Sequence, residues 1–309
     1  MRRILIAAAL FLLSAAAAGS DSEYRFEGVG RVVVFADVHG AFPQLVSALR
    51  EAKVIDDSLR WSGRDTHLVG LGDLLDRGPE SRKAMDLLMR LEKEAQQAGG
   101  AVHVLLGNHE VMNIVGDLRY VTAAEYSAFA GPEDAALREQ VWQRVLLQDP
   151  AALRADFDSA FPSGYFAHRQ AFSPAGQYGR WLSSKPFLIT INGTAFVHAG
   201  LPEMVTRLGL EETNRNLHAQ LDDYLRVWQL IETELNLVRP IGFQERAEAV
   251  GAAGALEHSK TLTELRDKEL FSPTGPTWYR GQALCYAFAE AANLEAALAK
   301  LDVKRVVEG

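Results

Sequence analysis

Three times between residues 31 and 107, a short unbroken apolar run ends in a polar loop. The runs are VVVFA at 32–36, HLVGL at 67–71 and AVHVLL at 101–106. Val32–Ala36, continuously apolar, fits a strand covered on both faces. Pro43 opens a helix that runs to about Lys53, and Pro79 opens another. In the second helix Met85, Leu88, Leu91 and Ala95 recur at helical spacing until Gly99 and Gly100 end it. The order βαβαβ predicts a parallel sheet with helices on its faces. Residues 120–182 and 203–270 read as helical inserts, the first Ala-rich and without Gly or Pro between Glu133 and Gln148. Between them, apolar segments at 186–191 and 194–200 flank Asn192-Gly193, a two-residue hairpin signal. A last helix is predicted over 282–300 and a last strand over 303–307. No internal repeat or flexible linker interrupts residues 31–309, which predicts one domain.

Residues 1–18 have a separate character. Arg2 and Arg3 precede ten apolar residues, Ile4 to Leu13, and then small residues to Ala18. This predicts a secretory signal peptide cleaved after Ala18 and a periplasmic or secreted protein; an uncleaved anchor is the alternative. Ten apolar residues fall short of the roughly 20 that span a bilayer. The formal charge of −8 becomes −10 without Arg2 and Arg3, so sequence-independent nucleic-acid binding, which needs a basic surface, is not expected. Cys285 is the single cysteine, so no internal disulfide forms. It lies in the apolar stretch ALCYAFAEA and is expected to be a small core residue.

The chemistry sits where the strands end. ADVHG at 36–40, GDLLDRG at 72–78 and GNHE at 107–110 each follow one of the three runs. Ligand sites in open α/β sheets assemble at that edge, and strands about 4.8 Å apart let three such loops meet at one centre. Asp37 and His39 can chelate one divalent ion, Asp73 has room to bridge two, and Asn108 offers a neutral amide oxygen. His198 leaves the hairpin strand just before Ala199-Gly200. Carboxylate, imidazole and amide donors without thiolate suit Mn, Fe or Zn better than a structural zinc site. His67, His103, His168, His218 and His258 are read as non-ligands, and Trp181 and Trp278 as packing residues.

These strings resemble the metallophosphoesterase, or calcineurin-like phosphoesterase, superfamily and its phosphoprotein phosphatase branch. The wording of GNHEVMNIVGDLRYVTAAEY (107–126), WLSSKPFLITINGTAFVHAGL (181–201) and GPTWYRG (275–281) is similar to the Shewanella-like phosphatases. Ala36 stands where the family usually has glycine, but it touches no ligand atom. The resemblance implies a four-layer αββα sandwich of two mixed sheets flanked by helices. It also implies two divalent metal ions, manganese first, with iron or zinc compatible. Asp37, His39 and Asp73 would hold one ion, and Asp73, Asn108 and His198 the other. His109 would be the general acid, Asp76 its orienting partner, and Arg77 and Arg280 the phosphate clamp. Arg119 would reach substrate or serve the structure. The implied reaction is direct attack of dimetal-bound hydroxide on a phosphomonoester, the substrate being a phosphorylated protein or peptide (Tyr or Ser/Thr) or a small phosphomonoester.

In the family, the strand at 303–307 leads into a G-H-T string whose histidine completes the second metal. The sequence stops at Gly309, so the last strands and that ligand are expected to be missing. Two rival readings follow: a nucleotide or dinucleoside polyphosphate hydrolase of the same fold, and a catalytically silent metal-binding protein.

Overall fold

The computed structural model describes residues 23–235 and 241–309; the predicted leader at 1–18 lies outside them. The chain begins β1 (Arg25–Phe26), β2 (Val32–Phe35), α1 (Phe42–Glu51), β3 (His67–Gly70), α2 (Ser81–Gln97), β4 (Ala101–Val104) and α3 (Asn108–Val115). The three apolar runs form a sheet in the order β2-β3-β4, parallel throughout, with Val32 opposite His67 and His67 opposite Ala101. Proline in the first turn of α1 loses no helical hydrogen bond. α2 turns Ala84, Met85, Leu88, Leu91 and Ala95 inward, as their spacing predicts.

The first insert folds as α4 (Ala123–Ser127), α5 (Ala135–Gln148), α6 (Arg154–Ala160), α7 (Tyr165–Phe172) and α8 (Gln177–Ser183). The hairpin follows as β5 (Leu188–Ile191) and β6 (Thr194–Val197), antiparallel around Asn192 and Gly193. Both turn residues have positive φ, 48° and 69°, the combination a tight two-residue hairpin requires. The second insert supplies α9 (Glu203–Leu208), α10 (Leu210–Glu234), α11 (Arg246–Ala252) and α12 (Leu256–Arg266). The chain continues through α13 (Gly281–Leu284) and α14 (Ala287–Leu301) to β7 (Arg305–Glu308). The second sheet has the order β1-β5-β6-β7. Among the described strands of the two sheets, β5 and β6 pair antiparallel, while the β2-β3-β4 strands are joined by helical crossovers and run parallel.

The sheets pack face to face through Val69, Leu71 and Leu105 on one side and Ile189, Ile191 and Phe196 on the other. Burying each such side chain stabilises the fold by about 1.5–3 kcal/mol. On the outer face of the β1-β5-β6-β7 sheet, Val205, Ala297 and Leu301 cover Leu188, Ala195 and Val197. Leu49, Leu88 and Leu91 belong to the larger core over β2-β3-β4. The result is helix, sheet, sheet, helix.

One local expectation fails. The helix predicted over 282–300 is broken at Cys285 and Tyr286, both extended with ψ of 161° and 136°. Cys285 is exposed, not a core residue. Leu284, Tyr286 and Phe288 are 80%, 89% and 96% exposed. Apolar spacing marks a face to be covered, and among the described residues this corner is left uncovered.

Candidate active site

β2, β3 and β4 run parallel, so the loops that follow them leave from one edge. Asp37 and His39 follow β2, Asp73, Asp76 and Arg77 follow β3, and Asn108 and His109 open α3 after β4. His198 arrives from β6 in the other sheet. The first two loops are joined by main chain: Val38 N and His39 N both donate to Asp73 O at 2.9 Å, and Gly40 N donates to Leu74 O at 2.9 Å. His39, Asp73, Asp76 and Arg77 all take positive φ, between 46° and 69°. Such conformations cost energy outside glycine and gather at functional sites. Space is also tight: a Cβ on Gly107 would lie 2.3 Å from Asp73 Oδ1, and one on Gly72 (φ 101°) would lie 2.5 Å from Gly107 N.

Asp73 Oδ2 is the hub. It lies 3.5 Å from His198 Nε2, 3.7 Å from His39 Nε2 and 3.9 Å from His109 Nε2. Asp37 Oδ2 is 3.5 Å from His39 Nε2, and Asn108 Oδ1 is 3.0 Å from His198 Nε2. His39 Nδ1 bonds to Leu75 O at 2.9 Å and His198 Nδ1 to Leu71 O at 3.0 Å. A carbonyl can only accept, so both Nδ1 atoms carry the proton and, in the neutral ring, both Nε2 atoms present lone pairs. His39 Nε2 is buried without a hydrogen-bond partner. His198 Nε2 faces an amide oxygen, acceptor against acceptor. A cation between such atoms turns repulsion into ligation, and a backbone partner on the far nitrogen is the usual orientation of a metal-binding histidine.

The titration behaviour agrees. Burial, with help from Arg280, lowers the pKa of His198 against the pull of Asp73, Asp37 and the Leu71 carbonyl. Burial also opposes charge on His39, but Asp37, the Leu75 carbonyl and Asp73 together raise its pKa. His39 in turn holds Asp37 below the ordinary carboxylate range. The donor set fits divalent metal: His39, Asp73 and His109 form one convergent group, and Asp37, Asp73 and His198 another.

His109 is set differently from the other two imidazoles. Its Nδ1 lies 2.6 Å from Asp76 Oδ2, and both side chains are buried. Its Nε2 is 3.2 Å from Arg77 Nη2. A guanidinium at that distance disfavours a metal ion on the same nitrogen. His109 N donates to Asp73 Oδ1 at 3.0 Å, so the start of α3 also steadies the hub.

Comparison with known proteins agrees with this geometry. Residues 30–239 match the calcineurin-like phosphoesterase family. The chain belongs to that family. It is 32% identical over 220 residues to Shewanella-like protein phosphatase 2 of Arabidopsis thaliana, covering 65% of this chain and 54% of the relative. It is 26% identical over 208 residues to Shewanella-like protein phosphatase 1 of Plasmodium berghei, covering 66% and 49%. The chain thus spans about half the length of these curated relatives. Among solved structures, the cold-active protein-tyrosine phosphatase of a psychrophilic Shewanella species superposes with a TM-score of 0.59 at 26% identity. That superposition covers 93% of this chain and 67% of the other.

With the family shown, the remaining expected residues can be placed. Arg77 is in the site, its guanidinium 5.7 Å from the Tyr120 ring centroid. Arg280 is exposed at the rim, with Nη1 donating to Tyr279 O at 3.0 Å; its charge still reaches Asp37 and His198. Arg119 makes a two-pronged pair with Asp117, both contacts 2.8 Å. The five histidines read as non-ligands lie outside both convergent groups among the described residues.

Three features escaped the sequence reading. Glu110 accepts from Asp73 N, Leu74 N and Gly107 N at 2.7, 2.8 and 2.9 Å. Burial and the Asp73 charge push its carboxyl up to about 8 against the pull of those three donors. The acidic residue three positions into a helix was the available signal. Asn113 donates to Asp76 Oδ1. Trp278, read as packing, lines a cavity of about 270 Å³ beside Asn108, together with Tyr120, Phe243 and Phe271. Trp181 does pack in the core, donating to Glu92 at 2.9 Å.

Proposed function

We propose that the chain is a metal-dependent phosphomonoesterase acting on phosphorylated proteins or peptides, with phosphotyrosine the preferred residue. The observation that carries this reading is the meeting of Asp37, His39, Asp73, Asn108 and His198 around Asp73 Oδ2, with two imidazole lone pairs turned inward. Asp37, His39 and Asp73 would hold one divalent ion and Asp73, Asn108 and His198 a second, manganese first. Bound there, such a pair supplies an activated water and neutralises phosphoryl charge.

The protein's own groups supply the rest. His109 Nε2 delivers a proton to the leaving oxygen, while Asp76 keeps the proton on Nδ1 and stabilises the imidazolium. Arg77 covers His109 Nε2 in the absence of substrate and turns to the phosphoryl oxygens when they arrive. Arg280 approaches those oxygens from the rim. The cavity beside Asn108 has the size to receive a phenyl ring, with Tyr120, Phe243, Phe271 and Trp278 among walls that also carry Asp117, Arg119 and Gln244, and the related Shewanella enzyme is described as a protein-tyrosine phosphatase. An extracytoplasmic location is supported by Arg2, Arg3 and the apolar run after them. No described helix is long and apolar enough to cross a membrane.

The test is Mn²⁺-stimulated hydrolysis of an aryl phosphate, expected in the parent protein, lowered by His109→Ala and abolished by Asp73→Asn. Undiminished turnover in those variants rejects the reading. Faster release from a dinucleoside polyphosphate than from a phosphotyrosine peptide assigns the site to nucleotides instead.

A further inference from the structure

The environment of His109 continues inward through one side chain with no place in the reaction described so far. Asn113 lies one helical turn along α3, and its Nδ2 donates to Asp76 Oδ1 at 3.0 Å and to His109 O at 3.0 Å. Asp76 is therefore gripped at both oxygens, Oδ2 by the imidazole and Oδ1 by the amide. Without the amide, the carboxylate is free to rotate about its Cβ–Cγ bond, and the imidazole it orients turns with it.

The same residue is held from behind. Arg169 on α7 donates to Asn113 O at 2.6 Å and to Ile114 O at 3.4 Å. Arg246 on α11 donates to Val115 O at 2.7 Å and Gly116 O at 3.1 Å. These carbonyls close the C-terminal turn of α3, where Asn113 O also accepts from Gly116 N at 3.2 Å, and cations are favoured at that end of the helix dipole. Arg246 is itself fixed over the Trp228 ring, 4.1 Å from its centroid. The helical inserts thus grip one end of the helix whose other end carries Asn108 and His109.

We infer that Asn113 is a positioning residue for the proton donor, locking Asp76 and through it the His109 ring, and that Arg169 acts in the same chain by fixing Asn113. This rests on the reading of His109 as the acid, and the experiment separates the two.

A proton donor matters most when the leaving group is poor, so kcat is compared for p-nitrophenyl phosphate and for an alkyl phosphate. His109→Ala sets the scale, with the larger loss on the alkyl ester. Asn113→Ala is expected to lose about tenfold or more on the alkyl ester and less than about threefold on the nitrophenyl ester. Arg169→Met is expected to shift the ratio in the same direction, and Arg169→Lys to restore part of it. In the metal-free protein, the downfield proton signal of His109 Nδ1, identified by its loss in His109→Ala, is expected to move in Asn113→Ala and Asn113→Ser. The serine variant keeps a small polar side chain too short to reach Asp76, and replaces the alanine variant if that one does not fold. Equal losses on both esters with an unmoved proton signal overturn the inference while leaving His109 as the acid. Equal losses in His109→Ala itself overturn both.

Discussion

Asp76 Oδ2 stands 2.6 Å from His109 Nδ1, with each side chain about 1% exposed. A buried carboxylate at that distance selects the tautomer protonated at Nδ1 and fixes the direction in which Nε2 points. Asp76→Asn keeps the shape and removes the charge. Its kcat is expected to fall by about 10²–10⁴, the range assigned to a positioned acid, with little change in KM. Steady-state kinetics with an alkyl phosphate checks this, and a raised KM at unchanged kcat contradicts it.

Gly107 has no room for a side chain, because a Cβ there would lie 2.3 Å from Asp73 Oδ1 and 2.9 Å from Glu110 Oε2. Gly107→Ala is expected to push the hub carboxylate aside and weaken Mn²⁺ binding by about 10–100-fold, as outer-shell changes at metal sites do. Calorimetric titration of the metal reads the effect directly. Affinity equal to that of the parent protein refutes it.

Glu125 gives the fold a pH dependence remote from the metal ligands. Burial, with a smaller push from Asp76, raises its carboxyl to about 7, despite the hydrogen bond from Ser81 Oγ at 2.7 Å. Below the ordinary value of about 4.5 both folded and unfolded chains hold the proton. As pH rises from there to about 7 the unfolded chain releases it first, so stability falls across that window and levels off above it. Each unit of displacement corresponds to about 1.4 kcal/mol. Glu125→Gln removes the titration. Melting of the metal-free protein is expected to show the variant gaining several degrees on the parent at pH 8 and losing that lead at pH 4.5. A constant difference at all pH values excludes the assignment.

Arg280 sits exposed at the rim, bonded only to its neighbour's carbonyl among the hydrogen bonds described. A charged hydrogen bond gained on substrate binding contributes about 1.5–3 kcal/mol, so Arg280→Ala is expected to raise KM about tenfold or more. The loss should shrink as salt rises, because an exposed charge is screened. Kinetics at two ionic strengths test both statements, and an unchanged KM at low salt removes Arg280 from the clamp.

The strands and the metal-facing residues were legible because the parallel strands are short apolar runs whose loops hold the polar groups, although β2 is not covered on both faces as expected: it is half-buried and Val34 is exposed. Asp37, Asp73 and Asn108 could be placed at one edge from that pattern alone. Glu110 left one local sign, an acid three positions into a helix, but its bonds to Asp73 N and Leu74 N and that of Asn113 to Asp76 cross to a loop from a different strand. Arg169 and Arg246 bind carbonyls of a helix distant in sequence, a pairing without a compositional signature. Cys285 was misplaced for a related reason: apolar spacing in ALCYAFAEA shows a face but not whether anything lies against it.

That corner has a practical consequence. A leucine, a tyrosine and a phenylalanine within five positions, each mostly in water, make this chain adhesive. Concentrated samples will self-stick and cling to chromatography resin, and a trace of mild detergent or a polar replacement at Phe288 should relieve both without touching turnover.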